Sequence, residues 1–465
     1  MSETGSAASA VSASSVAASA AAISASAPGD RPAEQTDILF RRAVFRIVPF
    51  IFICYLFNYL DRVNVGFAKL QMADALGLND RQYGFAAGIF FLGYVACGVP
   101  GNLMLEKFGA RRWIATIMVT WGALSAGLAF VHNAGEFYVL RFLTGAAEAG
   151  FFPGLVLYLT RWFPSRQRGR VMALFMVAIP LSGVIGGPLS GWIMSSFAAQ
   201  GGHTQSGLAA WQWLFLLQGI PTILLGLAVI FLLSEDVAGA PWLNAPERAA
   251  MQAALAEDGR STQPGKAGTF AQALRSPWIW AMGFVYFCVQ SGVYAISFWL
   301  PTIVQASFGS DMQAIGWLSA IPYLIAALVM LATGRSADRT GERRWHLAGP
   351  MLLAATGLVM ASLNGTFGQH PSLALLGLSL GASGALTGLA MFWPLASSFL
   401  GAEAAAGGLA LINSTGQIAG FASPWIVGWI RQATGSTDYA LILLAAVMAG
   451  GIAIVLCSPK PGAAL

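Results

Sequence analysis

Glu106-Lys107-Phe108-Gly109-Ala110-Arg111-Arg112 is followed, 232 residues on at every matched position, by Asp338-Arg339-Thr340-Gly341-Glu342-Arg343-Arg344. A carboxylate, a base, a glycine and twin arginines suit a tight charged turn that exchanges ion-pair partners when the helices it joins move. One copy alone reads equally well as an ordinary basic loop. Two copies at a constant offset mark a duplicated chain, and repeated halves are a signature of membrane transporters. The candidate turn residues are Glu106, Gly109 and Arg111 in the first copy and Gly334, Asp338, Arg339 and Gly341 in the second.

The sequence around both copies is apolar. Of 465 residues, 56% are hydrophobic and only 10% charged, where a soluble domain carries roughly 25% charge. Mean hydropathy is +0.66. Twelve apolar blocks run over 44–68, 84–105, 113–131, 137–163, 171–197, 211–233, 278–308, 314–333, 346–363, 373–400, 404–430 and 439–456. Blocks of about 20 residues are long enough to cross a hydrocarbon core, and each copy of the repeat follows the second block of its half. The predicted fold is therefore an all-α membrane protein: twelve transmembrane helices in two pseudo-symmetric six-helix bundles, over 40–233 and 277–465. An Ala/Ser-rich stretch over 1–39 lacks the basic and Leu-rich regions of a signal peptide and reads as a disordered tail. The polar middle loop, 234–276, carries Asn244-Ala245-Pro246-Glu247. A cap residue, an early proline and a carboxylate at the third helical position predict a short helix to about residue 256, placed to tie the two halves together.

The chain is basic, with a net charge of +5 and a pI near 9.1. Its 25 Lys and Arg sit mostly in short loops, which points to topology rather than to nucleic acid as a partner. Twenty fall on one side of the predicted membrane, while Lys69, Arg81 and Arg431 fall on the other and Arg62 and Arg141 lie within spans. The positive-inside bias puts both termini in the cytoplasm of a multi-pass protein of the cell (inner) membrane. Four cysteines without CxxC spacing and four scattered histidines indicate neither a disulfide framework nor a metal site. No nucleophile–His–Asp set, HExxH or P-loop occurs in the spans, so neither an enzyme nor a cofactor is implied. Nothing demands more than a monomer.

Of 45 charged residues, only Asp61, Arg62, Arg141 and Glu148 lie well inside apolar blocks. An ionisable residue at the bilayer centre costs about 2.5–3.5 kcal/mol or more and defaults to a functional candidate. Arg141 and Glu148 are two turns apart on one face of span 4, and Asp61-Arg62 come at a depth comparable with Arg141, so all four are expected to converge on one cavity. Arginine suits a bidentate grip on a carboxylate, and a poorly solvated carboxyl can carry a proton near neutral pH. Together they describe symport of an organic acid with a proton. The competing reading is a set of buried salt bridges that only fix helix packing. Tyr59, Tyr94, Gln290, Tyr294, Trp393, Asn413 and Gln417 are uncharged candidates for contacts to the cargo, each also readable as a polar residue satisfied between helices. Gly183, Gly187 and Gly191 in span 5 read chiefly as a surface for close helix approach.

The repeated turn resembles the loop motif of the major facilitator superfamily, with Asn102 where a glycine is usual and Glu106 in place of the aspartate. Asn58-Tyr59-Leu60-Asp61-Arg62-Val63-Asn64 and Arg141-Phe142-Leu143-Thr144-Gly145-Ala146-Ala147-Glu148 further resemble the anion:cation symporter family, whose members move organic anions with protons or sodium. Weaker matches are Phe392-Trp393-Pro394 and the stretch around Asn413. The likeness covers the chain from about Phe40 onward and is greatest to tartrate, phthalate and sugar-acid permeases. It implies Arg62 and Arg141 as substrate arginines, Asp61 and Glu148 as proton sites, and Tyr94, Trp393 and Asn413 in the cavity wall. Uniport, anion exchange and a transporter-like acid sensor remain the alternatives to symport, and the acid itself stays open between aromatic, hydroxy and sugar acids.

Overall fold

The described residues form helices, α1 (Asp30–Ala75), α2 (Asp80–Phe108), α3 (Ala110–Gly127), α4 (Ala134–Glu148), α5 (Phe151–Trp162), α6 (Ser165–Ser196) and α7 (Ala210–Leu232) in the first half. A connecting helix, α8 (Ala245–Ser261), precedes α9 (Pro277–Phe308), α10 (Met312–Thr340), α11 (Arg344–Ser362), α12 (Pro371–Phe399), α13 (Ala405–Thr434) and α14 (Asp438–Cys457). The structure is a computed structural model and describes residues 30–198, 207–261, 275–309, 311–363, 370–399 and 405–458; among these there is no strand. Residues 1–29 of the tail expected over 1–39 and the stretch 262–274 of the middle loop lie outside the described residues.

Eleven membrane-length apolar helices are found among the described residues, with α4 and α5 forming one crossing. The twelfth crossing is α13, 30 residues long, whose apolar content is diluted by Asn413, Ser414, Thr415 and Gln417. The duplication read from the turn extends to whole helices. Both α2 and α10 are 29 residues long and begin and end 232 positions apart. Each starts on a side-chain cap, Asn79 or Asp311, and ends on a glycine of positive φ, Gly109 at 81° or Gly341 at 68°. Such a backbone angle is open to glycine and strained for other residues.

Two expectations are corrected. α1 begins at Asp30 rather than after residue 39, and Leu39 and Phe40 are buried in the core. Span 4 is not one helix: it breaks between Glu148 and Phe151, where Pro153 has no N–H to offer the carbonyl of Ala149. The connecting helix α8 has the reciprocal Asn244/Glu247 cap, and its side chains bond to Arg42 on α1 and to Ser165 and Arg168 on α6.

The halves meet through α2 against α13 and α6 against α10, at the end of the bundle away from the termini. Glycines make the approach possible. A Cβ on Gly187 would lie 2.6 Å from the carbonyl oxygen of Gly316, one on Gly191 2.6 Å from that of Met312, and one on Gly84 2.3 Å from that of Pro424. The glycines of span 5 thus serve helix approach. Beside this seam Asp80 Oδ1 accepts from both Lys69 Nζ and Arg431 Nη1 at 2.8 Å, joining the halves by charge. At the other end they diverge: Val99, low on α2, is 71% exposed, and cavities of about 390 and 680 Å³ lie between the halves.

The first charged turn is held by a residue the sequence did not single out. Glu235 accepts from the backbone N–H groups of Ala110 (2.8 Å) and Arg111 (3.1 Å) at the start of α3, and pairs with Arg161 on α5. A Cβ on Gly109 would come 2.7 Å from its Oε1, so the glycine admits the carboxylate to the helix terminus. Glu235→Ala is expected to cost about 1–2 kcal/mol and to lower the melting temperature of the detergent-purified protein by about 2–4 °C. An unchanged melting temperature would remove this role from Glu235.

Candidate functional site

Residues 55, 58, 59 and 62 share one face of α1, spaced by three and four positions. That face supplies Tyr55, Asn58, Tyr59 and Arg62 to the cavity of about 390 Å³. Tyr94 comes from α2, Phe152 from α5, Tyr286, Gln290 and Tyr294 from α9, Trp393 from α12, and Asn413 and Gln417 from α13. Of the residues predicted for cargo contact, Arg62, Tyr59, Tyr94, Gln290, Trp393 and Asn413 are thereby brought together. Tyr55, Asn58 and Tyr286 were missed, although helical spacing back from Arg62 reaches Asn58 and Tyr55.

Arg62 is the centre of the arrangement. Its Nε donates to Glu148 Oε1 at 3.0 Å and its Nη2 to the same oxygen. Nη1 donates to the Tyr294 hydroxyl at 3.4 Å. That hydroxyl also meets Gln290 Nε2 and Gln417 Oε1, each at 3.4 Å. One polar chain therefore crosses from the first half to the second through Arg62 and Tyr294. The guanidinium also lies 4.8 Å from the Tyr59 ring centroid and 5.4 Å from that of Phe90, in cation–π range.

The four intramembrane charges do not converge on the cavity as expected. Arg62 lines it, while Glu148, 1% exposed, sits behind Arg62. Arg141 is sealed off: Nη2 donates to the carbonyl of Ala87 at 3.4 Å, Cζ lies 4.8 Å from the Phe90 ring, and Nε has no partner. Asp61 faces into the first half, accepting from Trp121 Nε1 (2.6 Å), Ser125 Oγ (3.2 Å), Asn64 Nδ2 (3.4 Å) and Thr222 Oγ1 (3.5 Å). Consecutive helical residues point about 100° apart, so Asp61 cannot follow Arg62 into the same space. Tight crossing of α4 on α2 fixes this layout, since a Cβ on Gly145 would stand 1.8 Å from the carbonyl oxygen of Phe90.

The molecule is thus two repeated bundles around a central polar site, closed at one end. The profile of the Major Facilitator Superfamily matches residues 51–424. The chain belongs to the Major Facilitator Superfamily. Among its relatives in that superfamily, "Putative metabolite transport protein NicT" of Pseudomonas putida is 41% identical over 424 residues, covering 91% of this chain and 95% of the relative. A "Putative tartrate transporter" of Agrobacterium vitis is 42% identical over 412 residues, 88% of each. The partially occluded inward-open xylose transporter XylE of Escherichia coli shares the fold with a TM-score of 0.72 at 14% identity, over 91% of this chain and 99% of XylE. As a superfamily member the chain is a multi-pass membrane transporter. Its second turn motif is arranged differently from the first. Gly334 and Asp338 line the cavity of about 680 Å³ with Arg335 and Arg343, Arg339 lies exposed in the last turn of α10, and Glu342 accepts from Trp345 N at 3.0 Å. Glu106, in the first copy, is exposed.

Proposed function

We propose that the protein imports an organic carboxylate together with a proton by alternating access in the inner membrane, with both termini in the cytoplasm. In that orientation the cavity faces the cytoplasm and the glycine seam closes the outer side. The reading rests on one observation above all: the cation that lines the cavity, Arg62, is already held by a carboxylate withdrawn behind it, Glu148. A cargo carboxylate and Glu148 compete for the same guanidinium. A proton taken up by Glu148 neutralises it and frees Arg62 to grip the cargo bidentately. When the cargo leaves, Glu148 gives up the proton and returns to Arg62. Asp61 is the second proposed proton site, and the network through Tyr294 carries the change to the other half. The tartrate relative supports an acid as cargo. The proposed assembly is a monomer.

The test is internal pH in proteoliposomes after pooled aromatic, hydroxy and sugar acids are added outside, with empty liposomes as control. Acidification that requires both protein and acid is the expected result. In Glu148→Gln, uptake driven by an imposed proton gradient should fall to background while exchange of labelled for unlabelled acid continues. Gradient-driven accumulation by that variant, and equally by Asp61→Asn, would end the assignment of proton coupling to these carboxylates.

A further inference from the structure

The central cavity also carries a record of the shape of its cargo. Among the described residues Arg62 is the one basic side chain lining it, while Arg141 is shut behind Phe90 and bonded to Ala87. A cargo with two carboxylates would bury one of them without a cation, which is strongly unfavourable. The wall is aromatic: Tyr55, Tyr59, Tyr94, Phe152, Tyr286 and Trp393 face the space. Such faces accept a flat ring by stacking or edge contact and offer little to a chain of hydroxyls, whose desolvation would go uncompensated.

Among the described residues, two fully buried polar atoms of the lining side chains have no partner. Asn58 Nδ2 is a donor and Gln290 Oε1 an acceptor, on residues 2% and 3% exposed. Unsatisfied buried groups of this kind are rare and call for an explanation. Asn58 stands one turn before Arg62 on the same face of α1, so its donor and the guanidinium can serve one carboxylate. Gln290 stands across from them, its Nε2 joined to Arg62 Nη1 through the Tyr294 hydroxyl by two hydrogen bonds of 3.4 Å. We infer that the cargo is a planar aromatic monocarboxylate bearing a hydrogen-bond donor on its ring, with the carboxylate on Arg62 and Asn58 and the ring donor on Gln290. This rests on the organic-acid reading above and narrows it.

The experiment is uptake of labelled 4-hydroxybenzoate, benzoate, phthalate, tartrate and gluconate into proteoliposomes under an inward proton gradient, for wild type and Gln290→Leu. Wild type should take up 4-hydroxybenzoate about fivefold faster than benzoate, the scale of one neutral hydrogen bond, and the other three at the rate of empty liposomes. In Gln290→Leu the ratio of the two monoacids should fall to about one. Because the ratio is taken within one preparation, loss of folded protein cancels. Faster uptake of tartrate, phthalate or gluconate would overturn the inferred cargo while leaving organic-acid transport standing. An unchanged ratio in Gln290→Leu would overturn the placement of the ring donor, and no uptake of any acid would overturn both readings.

Discussion

Arg62→Ala is expected to reduce uptake by more than about a hundredfold and to destabilise the protein at the same time. Two effects combine. The cavity loses the cation of its described lining, and Glu148, 1% exposed, is left as a buried carboxylate without its partner. Removing one member of a buried pair costs about 3–5 kcal/mol, which a melting curve in detergent should show plainly. The double variant Arg62→Ala/Glu148→Gln separates the two effects. It has no stranded charge, so its melting temperature should recover toward wild type, yet it still has no cation for the cargo and uptake should stay at background. Arg62→Lys should also fail to restore transport: Nε and Nη2 reach Glu148 while Nη1 reaches Tyr294, and an ammonium lacks that planar fork. Recovery of uptake in the double variant would reduce Arg62 to a packing residue.

The second large effect is expected at Gly187→Leu, which should stop turnover while leaving each half folded. The added side chain meets backbone: its Cβ alone would lie 2.6 Å from the carbonyl oxygen of Gly316 and 3.4 Å from Ala320 N. No rotamer change relieves a clash with main chain, so relief comes from α6 and α10 moving apart. Overpacking of this kind costs about 1–3 kcal/mol, and the cost falls on the form closed at this end. The population should shift toward the form open there by about 5- to 150-fold. Labelling by a membrane-impermeant maleimide reports it, with Ala320→Cys on α10 as the probe, 7% exposed in the closed form, and the native Cys54, Cys97, Cys288 and Cys457 replaced. Labelling should accelerate in Gly187→Leu. Unchanged labelling together with normal transport would show that these helices do not separate during turnover.

What the sequence discloses and what it hides follow from how local each signal is. Apolar length and turn glycines are local, and they give the helices, the duplication and its offset, which holds to the ends of α2 and α10. Polar side chains within the spans are also legible, and Arg62, Tyr59, Tyr94, Gln290, Trp393 and Asn413 line one cavity. Direction around the helix axis is not given by depth. Asp61 and Arg62 share a height and face different neighbours, Trp121 in one case and Tyr294 in the other. Arg141 has the right height and the right chemistry, but the contact of Gly145 with the backbone at Phe90 places a ring between it and the cavity. Glu235 escaped because it lies beyond its span and bonds mainly to main-chain N–H groups 124 and 125 positions away, which no side-chain pattern announces.

The glycine seam has a thermal consequence as well. Where α6 meets α10 the contacts at Gly187 and Gly191 are with main chain, while Gly183 packs on the Tyr323 ring, so parting this flank wets one aromatic ring and changes the heat capacity modestly. The flank formed by α2 and α13 is built otherwise, with Phe85 packed on Phe421 and Trp425, and parting it wets aromatic rings. The flank of α6 and α10 is therefore expected to contribute less than the flank of α2 and α13 to the curvature of an Arrhenius plot of turnover.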